Sequence, residues 1–304
     1  MNIPQTLEDE LARIVESIAI HSPTAFTFTG RASSGIAMPM IGLHLTPEMP
    51  PLMNELVIQL YQRCFANRFD GQSAPEPPRA SNDPEWVESL SRANQSRERW
   101  EDGWQILHGL PNGHVVAKRG DVARTLAPGE FVNLGASGMS PGAVVKVYIA
   151  RESRTVQPGY YFVFGETLPD SGDEASIVRF YWNVTNLGAA HLVRRVSGDL
   201  NRWEVPFRFK TPSHPEMFVR RDTAVLYTPR RYAHFTRGLL SEIHSAIQSQ
   251  LRDDVPLFTL RLAPGLAFGK IPARRKVLDC AAAGFWRRAS GCPTRKACAA
   301  LPNG

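Results

Sequence analysis

The spacing of apolar positions changes character near residue 104. Before it the period is helical. Residues 6–20 put Leu7, Leu11, Ile14, Val15 and Ile18 on one face, with Thr6 as N-cap and acids in the first turn, which predicts an amphipathic helix. Residues 22–51, rich in Ser, Thr, Gly, Met and Pro, read as loops. A second helix is predicted over 52–66, where Leu56, Leu60 and Cys64 form one row flanked by Val57, Tyr61 and Phe65. Gly71, Pro75, Pro77 and Pro78 mark 67–82 as a surface loop or linker. Asp83-Pro84-Glu85 then supplies an N-cap, a proline at the first helical position and an acid, and starts a third helix with Trp86 and Leu90 on one side.

From about 104 the period is two. Strands are predicted at 104–108, 114–118, 130–134, 143–151, 159–165 and 177–184, punctuated by Gly, Pro and Asn as in antiparallel hairpins. A helix at 189–202 turns Leu192, Val193, Val196 and Leu200 inward. Strands follow at 206–211 and 222–228, then a long helix over about 231–252 and a last strand at 256–262. No internal repeat is present. The pattern predicts an α+β protein, with a helical N-terminal part followed by a mixed or antiparallel sheet with packed helices.

Composition changes this picture in one place. The 304 residues, 43% apolar and 21% charged, are those of an ordinary folded protein. No apolar run approaches the roughly 20 residues of a membrane helix, and residues 1–25 carry no secretory pattern, so the expected compartment is the cytoplasm, with no membrane partner. The net charge of +6 is local. From Lys270 onward there are eight bases and one acid, Asp279; the rest of the chain holds 27 bases and 28 acids. The near-neutral body gives no reason to expect a nucleic-acid partner. Cys280, Cys292 and Cys298 share the basic tail, but spacings of twelve and six without a paired CxxC do not make a zinc motif.

Phosphate loops of the GxxxxGK[ST] or GxGxxG kind are absent, as is HExxH. Gly135-Ala-Ser-Gly-Met139 fails the nucleophile-elbow pattern at its last position. Two segments carry candidate chemistry. In Ala143–Arg151, alternation puts Val145, Val147 and Ile149 on one face and Lys146 with Tyr148 on the other, about 6–7 Å apart along the backbone. The plain alternative is a solvated lysine and a half-buried tyrosine. In Phe207–Tyr227, Pro212 and Pro215 turn the chain so that Lys210 can approach Arg220 and Arg221; two cations on a turn suit a phosphate or carboxylate. The plain alternative there is a surface ion pair with Asp222.

WEDGWQI at 100–106, LAPGEFVNL at 126–134, PGYYFVFGE at 158–166, RFYWNVTNLGAAHLVRRVSGDLN at 179–201, VPFRFKTP at 205–212 and FVRRDTAVLYTPRR at 218–231 follow one another in a way that resembles the HopA-like effector family. That family is met among plant-pathogen type III effectors, and related domains serve as the lyase component of class V lanthipeptide and related peptide pathways. The resemblance spans about 100–265 and divides the chain into a helical region 1–99, a HopA-like α+β domain 100–265 and a basic, divergent tail 266–304. It implies β-elimination of phosphate from phosphoserine or phosphothreonine in a precursor peptide, with a separate kinase-like protein as partner and no metal or organic cofactor. Related phosphothreonine lyases pair a lysine base with a histidine acid two residues on, and hold phosphate with Lys and Arg. By that resemblance Lys146 is the base and Tyr148 stands in the histidine place, while Lys210 and Arg220, with Arg221 beside them, bind phosphate. A phenol of ordinary pKa near 10 is a weak acid for the task. The tail departs from the family pattern; 274–289 keeps a helical spacing of Val277, Leu278, Ala281 and Phe285, and Arg274 and Arg275 are candidates for a further phosphate ligand. The alternative function is a non-enzymatic, effector-like interaction protein or peptide-binding scaffold.

Overall fold

The computed structural model describes residues 5–32, 50–69, 71, 82–133, 135, 138–170, 172–173 and 176–270. Two compact units make up the chain: Met1–Glu76 with Pro272–Gly304, and Pro77–Ile271. The tail cysteines, Arg274, Arg275 and the helical spacing at 274–289 lie outside the described residues.

In the first unit helix α1 (Gln5–Glu16) buries Ile14 completely. It begins before Thr6, which therefore lies inside the helix instead of capping it. It also ends earlier than the apolar period suggests. Ser17 hydrogen-bonds back to the carbonyl of Arg13, and Ile18–Ser22 leaves as strand β1, antiparallel to β2 (Ala25–Phe28), with β3 (Arg31–Ala32) beyond. The β-branched Ile18 and Ile20 favour the strand once a partner is available, and Ile18 sits opposite Phe28. The expected loop at 22–51 thus contains two strands. Helix α2 (Pro51–Leu60) continues through a π-helical turn at Tyr61–Phe65 that buries Cys64, close to the predicted span.

The second unit opens with α3 (Pro84–Ala93), capped as predicted: the Asp83 carboxylate accepts from the Trp86 backbone N–H at 3.0 Å. Strands β4 (Arg99–Gly109), β5 (Val115–Arg119), β6 (Val122–Leu126), β7 (Phe131–Asn133) and β8 (Val144–Ile149) form a five-stranded sheet in the order β6-β5-β4-β8-β7. Its buried face carries Trp104, Ile106, Val115, Ala117, Val145 and Val147. The chain continues as β9 (Glu152–Ser153), β10 (Tyr160–Phe164), β11 (Ile177–Trp182), α4 (Asn186–Arg202), β12 (Arg208–Pro212), β13 (Ala224–Pro229), α5 (Ala233–Ile247), β14 (Leu260–Ala263) and β15 (Leu266–Lys270). These strands form a seven-stranded sheet ordered β14-β15-β11-β13-β12-β10-β9. Every pairing between the described strands is antiparallel, within the predicted α+β class. Strands β6, β9 and β15 fall outside the predicted ones, and α5 is shorter than its predicted span because single 3₁₀ turns flank it.

One face of the seven-stranded sheet is apolar. Tyr161, Val163, Phe180, Trp182, Phe209 and Leu226 pack against Leu90 of α3, against Leu192, Val193, Val196 and Leu200 of α4, and against Leu240, Ile243 and Ile247 of α5. Burying each such side chain contributes about 1.5–3 kcal/mol, so this layer dominates the stability of the unit. Strand β15 reaches it through a tight turn at Gly265 (φ +68°), whose N–H donates to the Asp253 carbonyl at 3.0 Å and whose carbonyl accepts from Asn183 N–H at 2.9 Å. A Cβ there would run into the carbonyl of Arg252. Gly265→Ala should therefore destabilise the unit by roughly 1–3 kcal/mol, read as a lower urea midpoint at unchanged slope. An unchanged midpoint would mean that the turn relaxes without cost.

Candidate functional site

Because strand side chains alternate, the second face of the seven-stranded sheet is set once the first is buried. Tyr160, Phe162 and Phe164 of β10 alternate with the core residues Tyr161 and Val163. Arg208 and Lys210 alternate with Phe209, and Arg179 and Tyr181 with Phe180. Cross-strand register brings these positions together. Lys210 lies opposite both Phe162 and Val225, Arg208 opposite Phe164 and Tyr227, and Arg179 opposite Tyr227 and Gly269. Gly269 leaves room here: a Cβ would lie 3.0 Å from the Tyr181 ring.

Lys210 is the centre of this face. Its ammonium donates to Gln157 Oε1 at 3.0 Å and sits 4.4 Å from the centre of the Tyr160 ring. Part of the side chain keeps contact with solvent, but the crowding around the amine is dense. Desolvation pushes its pKa down to about 8; the carboxylate of Asp222 opposes the shift, and the Arg220 and Arg179 guanidinium groups add to it. Arg220 forms a two-pronged pair with Asp222, Nε to Oδ1 at 2.8 Å and Nη2 to Oδ2 at 3.0 Å. Both side chains are largely buried (15% and 5% exposed), so this is not the surface pair that the local sequence offers as an alternative. The Thr223 hydroxyl, which donates to the carbonyls of Trp182 and Val184, and the Thr223 carbonyl, which accepts from the Thr211 hydroxyl, tie the Arg220–Asp222 segment to β11 and β12.

Aromatic rings complete the face. Arg179 and Arg208 lie 5.4 and 5.9 Å from the centre of the Tyr227 ring, a cation–π pair from each side. Burial pushes the Tyr227 phenol up to about 12 and raises those of Tyr160 and Tyr181, so all three keep their protons at neutral pH.

Arg220 lies close enough to Lys210 to act on its charge. Arg221 turns elsewhere: it is buried and its Nε lies 3.7 Å from Asp254. Lys146 and Tyr148 share one face of β8, as the alternation predicts. Lys146 pairs with Asp102 at 3.2 Å. Tyr148 donates to Glu98 at 2.7 Å, and its ring lies 5.4 Å from that of Trp100; the hydrogen bond to Glu98 and burial raise its pKa. Tyr148 also lines a cleft of about 600 Å³ with Phe162, Phe164, Arg208 and Tyr227; neither Lys146 nor Lys210, Arg220 or Arg179 is among the lining residues. Sequence reasoning missed Arg179 and Arg208. The signal was the alternation itself, since a strand that buries Phe180 and Phe209 must turn its arginines to one common face. Among the described residues no group of three or more His, Cys, Asp or Glu could hold a metal ion, and no helix is long and apolar enough to cross a membrane.

Residues 151–284 match the model of the HopA1 effector protein family, which bears out the resemblance read from the sequence motifs. That interval contains all strands of the seven-stranded sheet; Lys146 and Tyr148 precede it. Two solved structures are similar to the chain: the effector protein from Pseudomonas syringae pv. tomato strain DC3000 (13% identity, 81% of this chain and 79% of that one, TM-score 0.40) and that from Pseudomonas syringae pv. syringae strain 61 (14% identity, 72% of each chain, TM-score 0.40). No curated protein matches the chain.

The depressed pKa of Lys210 has a thermodynamic signature. Folding weakens its hold on the proton, so between about pH 8 and about pH 10.4 the unfolded chain binds more protons than the folded one. Stability contributed by this residue therefore rises with pH across that window, by up to about 1.36 kcal/mol per pH unit. The buried tyrosines act oppositely near the top of the window, so the difference between wild type and Lys210→Met isolates the lysine. Urea unfolding from pH 7 to 10 should show that difference shrinking as the charge penalty disappears; a pH-independent difference would mean that the ammonium is not desolvated.

Proposed function

We propose that the protein is a phosphoserine/phosphothreonine lyase that eliminates phosphate from a peptide phosphorylated by a separate kinase-like protein. One observation carries the reading: Lys210, half-buried against the Tyr160 ring and with its pKa lowered to about 8, lies within electrostatic reach of Arg220 and Arg179. Elimination needs a base for a weakly acidic α-proton and cations for a departing phosphate, and this face offers both within one set of strands. The match of residues 151–284 to the HopA1 effector protein family supports the resemblance from which this reading starts.

In this reading Arg220 and Arg179 hold the phosphate, which competes with Asp222 for the Arg220 fork. The neutral Lys210 amine takes the α-proton, the C–H electron pair becomes the Cα=Cβ bond, and the Cβ–O bond breaks with its pair leaving on phosphate. Tyr148, protonated at neutral pH and facing the cleft, supplies a proton to the leaving oxygen. The products are dehydroalanine or dehydrobutyrine and inorganic phosphate. The role of base passes here from Lys146, to which the family resemblance assigns it, to Lys210, because a general base works best with a pKa near the working pH.

Mass spectrometry of a synthetic phosphoserine peptide tests this directly. Wild type should remove phosphoric acid at a rate that rises with pH, half-maximal near pH 8 and level about a unit above it, and Lys210→Ala should lower it by roughly 10²–10⁴-fold. Lys146→Ala should keep most of the rate. The reverse pattern, with Lys146→Ala inactive and Lys210→Ala only binding more weakly, would return the base to Lys146. Peptide bound but never converted would favour the scaffold alternative.

Arg220→Ala should reduce the preference for phosphorylated over unphosphorylated peptide by about 1.5–3 kcal/mol, with Arg220→Lys restoring only part of it because an ammonium lacks the planar fork. Calorimetric titration of both peptides decides this: equal affinity ratios in wild type and variant would remove Arg220 from the phosphate pocket.

A further inference from the structure

The cationic face does not end in open solvent. Along β10 it passes into the 600 Å³ cleft, a size typical of ligand pockets. The wall nearest Lys210 is aromatic. Phe162, its cross-strand partner, is buried beside Tyr160 and Met217, and Phe164 packs on that cluster with its ring centre 6.4 Å from that of Phe162. Leu168, which packs on the core of the five-stranded sheet, and Ile177 line the cleft as well. Its two carboxylates are already engaged: Glu130 accepts from the Ala127 N–H at 2.9 Å, and Glu152 accepts from the hydroxyls of Ser91 and Tyr161, both at 2.8 Å. An apolar group entering the cleft therefore leaves those hydrogen bonds intact. An acidic group would have to give up hydration beside aromatic walls, with Arg124 and Arg208 as the cations lining the cleft.

We propose that this cleft receives an apolar side chain of the substrate peptide, so that the preferred substrate carries a residue of the Leu, Ile or Phe type within two positions of the phosphorylated one. The inference rests on the phosphopeptide reading above and adds the sequence that surrounds the phosphate. Register supplies the distance. Phe162 is level with Lys210 and Phe164 with Arg208, so the aromatic wall advances about 6.7 Å over two residues. An extended peptide advances about 3.3–3.6 Å per residue. With the phosphorylated residue over Lys210, the side chain that reaches Phe164 belongs to a residue no more than two positions away. The aromatic wall favours an apolar side chain over aspartate or glutamate at that position, because a carboxylate loses hydration against it.

The experiment uses the full chain and peptides built on α-methylphosphoserine, which has no α-proton and cannot eliminate, so binding is measured without turnover. In a Gly/Ser background, leucine and aspartate are placed in turn at positions −2, −1, +1 and +2, each peptide made with and without the phosphate. The expected result is at least about a tenfold tighter binding of leucine than of aspartate at one of the four positions, the size of burying one aliphatic side chain. In Phe164→Ser that preference should fall to within about twofold while the ratio of phosphorylated to unphosphorylated affinity stays as in wild type. Equal binding of leucine and aspartate at all four positions, with the phosphate ratio preserved, would overturn the cleft assignment and leave the phosphopeptide reading standing. A phosphate ratio of one in every peptide would overturn the phosphopeptide reading, and the cleft assignment with it. A leucine preference that Phe164→Ser leaves untouched would place the apolar contact elsewhere on the protein and defeat the proposal.

Discussion

The candidate chemistry depends on a sheet that can satisfy only one of its faces with helices. Strands β10, β11, β12 and β13 give their inner positions to a layer of Tyr161, Phe180, Phe209 and Leu226 under α4 and α5. The period of two then delivers every intervening residue to the other side. There the chain places Arg179, Arg208 and Lys210 among Tyr160, Tyr181 and Tyr227. A register slip of one residue in any of these strands would drive a cation into the apolar layer, at a cost of several kcal/mol for an unpaired charge. The same packing that stabilises the unit therefore holds the cations in register.

Cations gathered at low solvent exposure repel one another and lose hydration. Three devices offset this. Asp222 neutralises Arg220 through two hydrogen bonds. The faces of Tyr160 and Tyr227 take the charges of Lys210, Arg179 and Arg208. Lys210 lowers its affinity for the proton. The third device makes the face chemically asymmetric, since the guanidinium groups stay charged while the amine is free to lose its proton near neutrality. One surface thus offers fixed positive charge beside a group able to accept a proton.

The five-stranded sheet contributes differently. Its inner face is an independent core around Trp104, and its outer face carries Lys146 and Tyr148. Tyr148, oriented by Glu98 and Trp100, opens onto the cleft that also reaches Arg208 and Tyr227. The five-stranded sheet therefore adds a phenol and Arg124 to a cleft that the seven-stranded sheet lines with Arg208.

Periodicity alone determined most of the elements. Alternation foretold the strands of the five- and seven-stranded sheets except β6, β9 and β15, the Asp83-Pro84 signal foretold the cap of α3, and the motifs at 100–231 pointed to the family that the comparison with known proteins bears out. These are local properties, written in residues that touch one another along the chain. The strand at Ile18–Ser22 escaped because its helical spacing continues that of α1, and only pairing with Ala25–Phe28 decides between the two conformations. Partnership across strands was equally out of reach: Arg179 meets Tyr227 from a position 48 residues away because β11 pairs with β13, and nothing in the local pattern of either strand names the other. The protonation of Lys210 belongs to the same class. A lysine in a strand reads as solvated until the residues that exclude water from it, and the charges beside it, are brought in by tertiary structure, because desolvation depends on what surrounds a group in space and not on what precedes it in the chain.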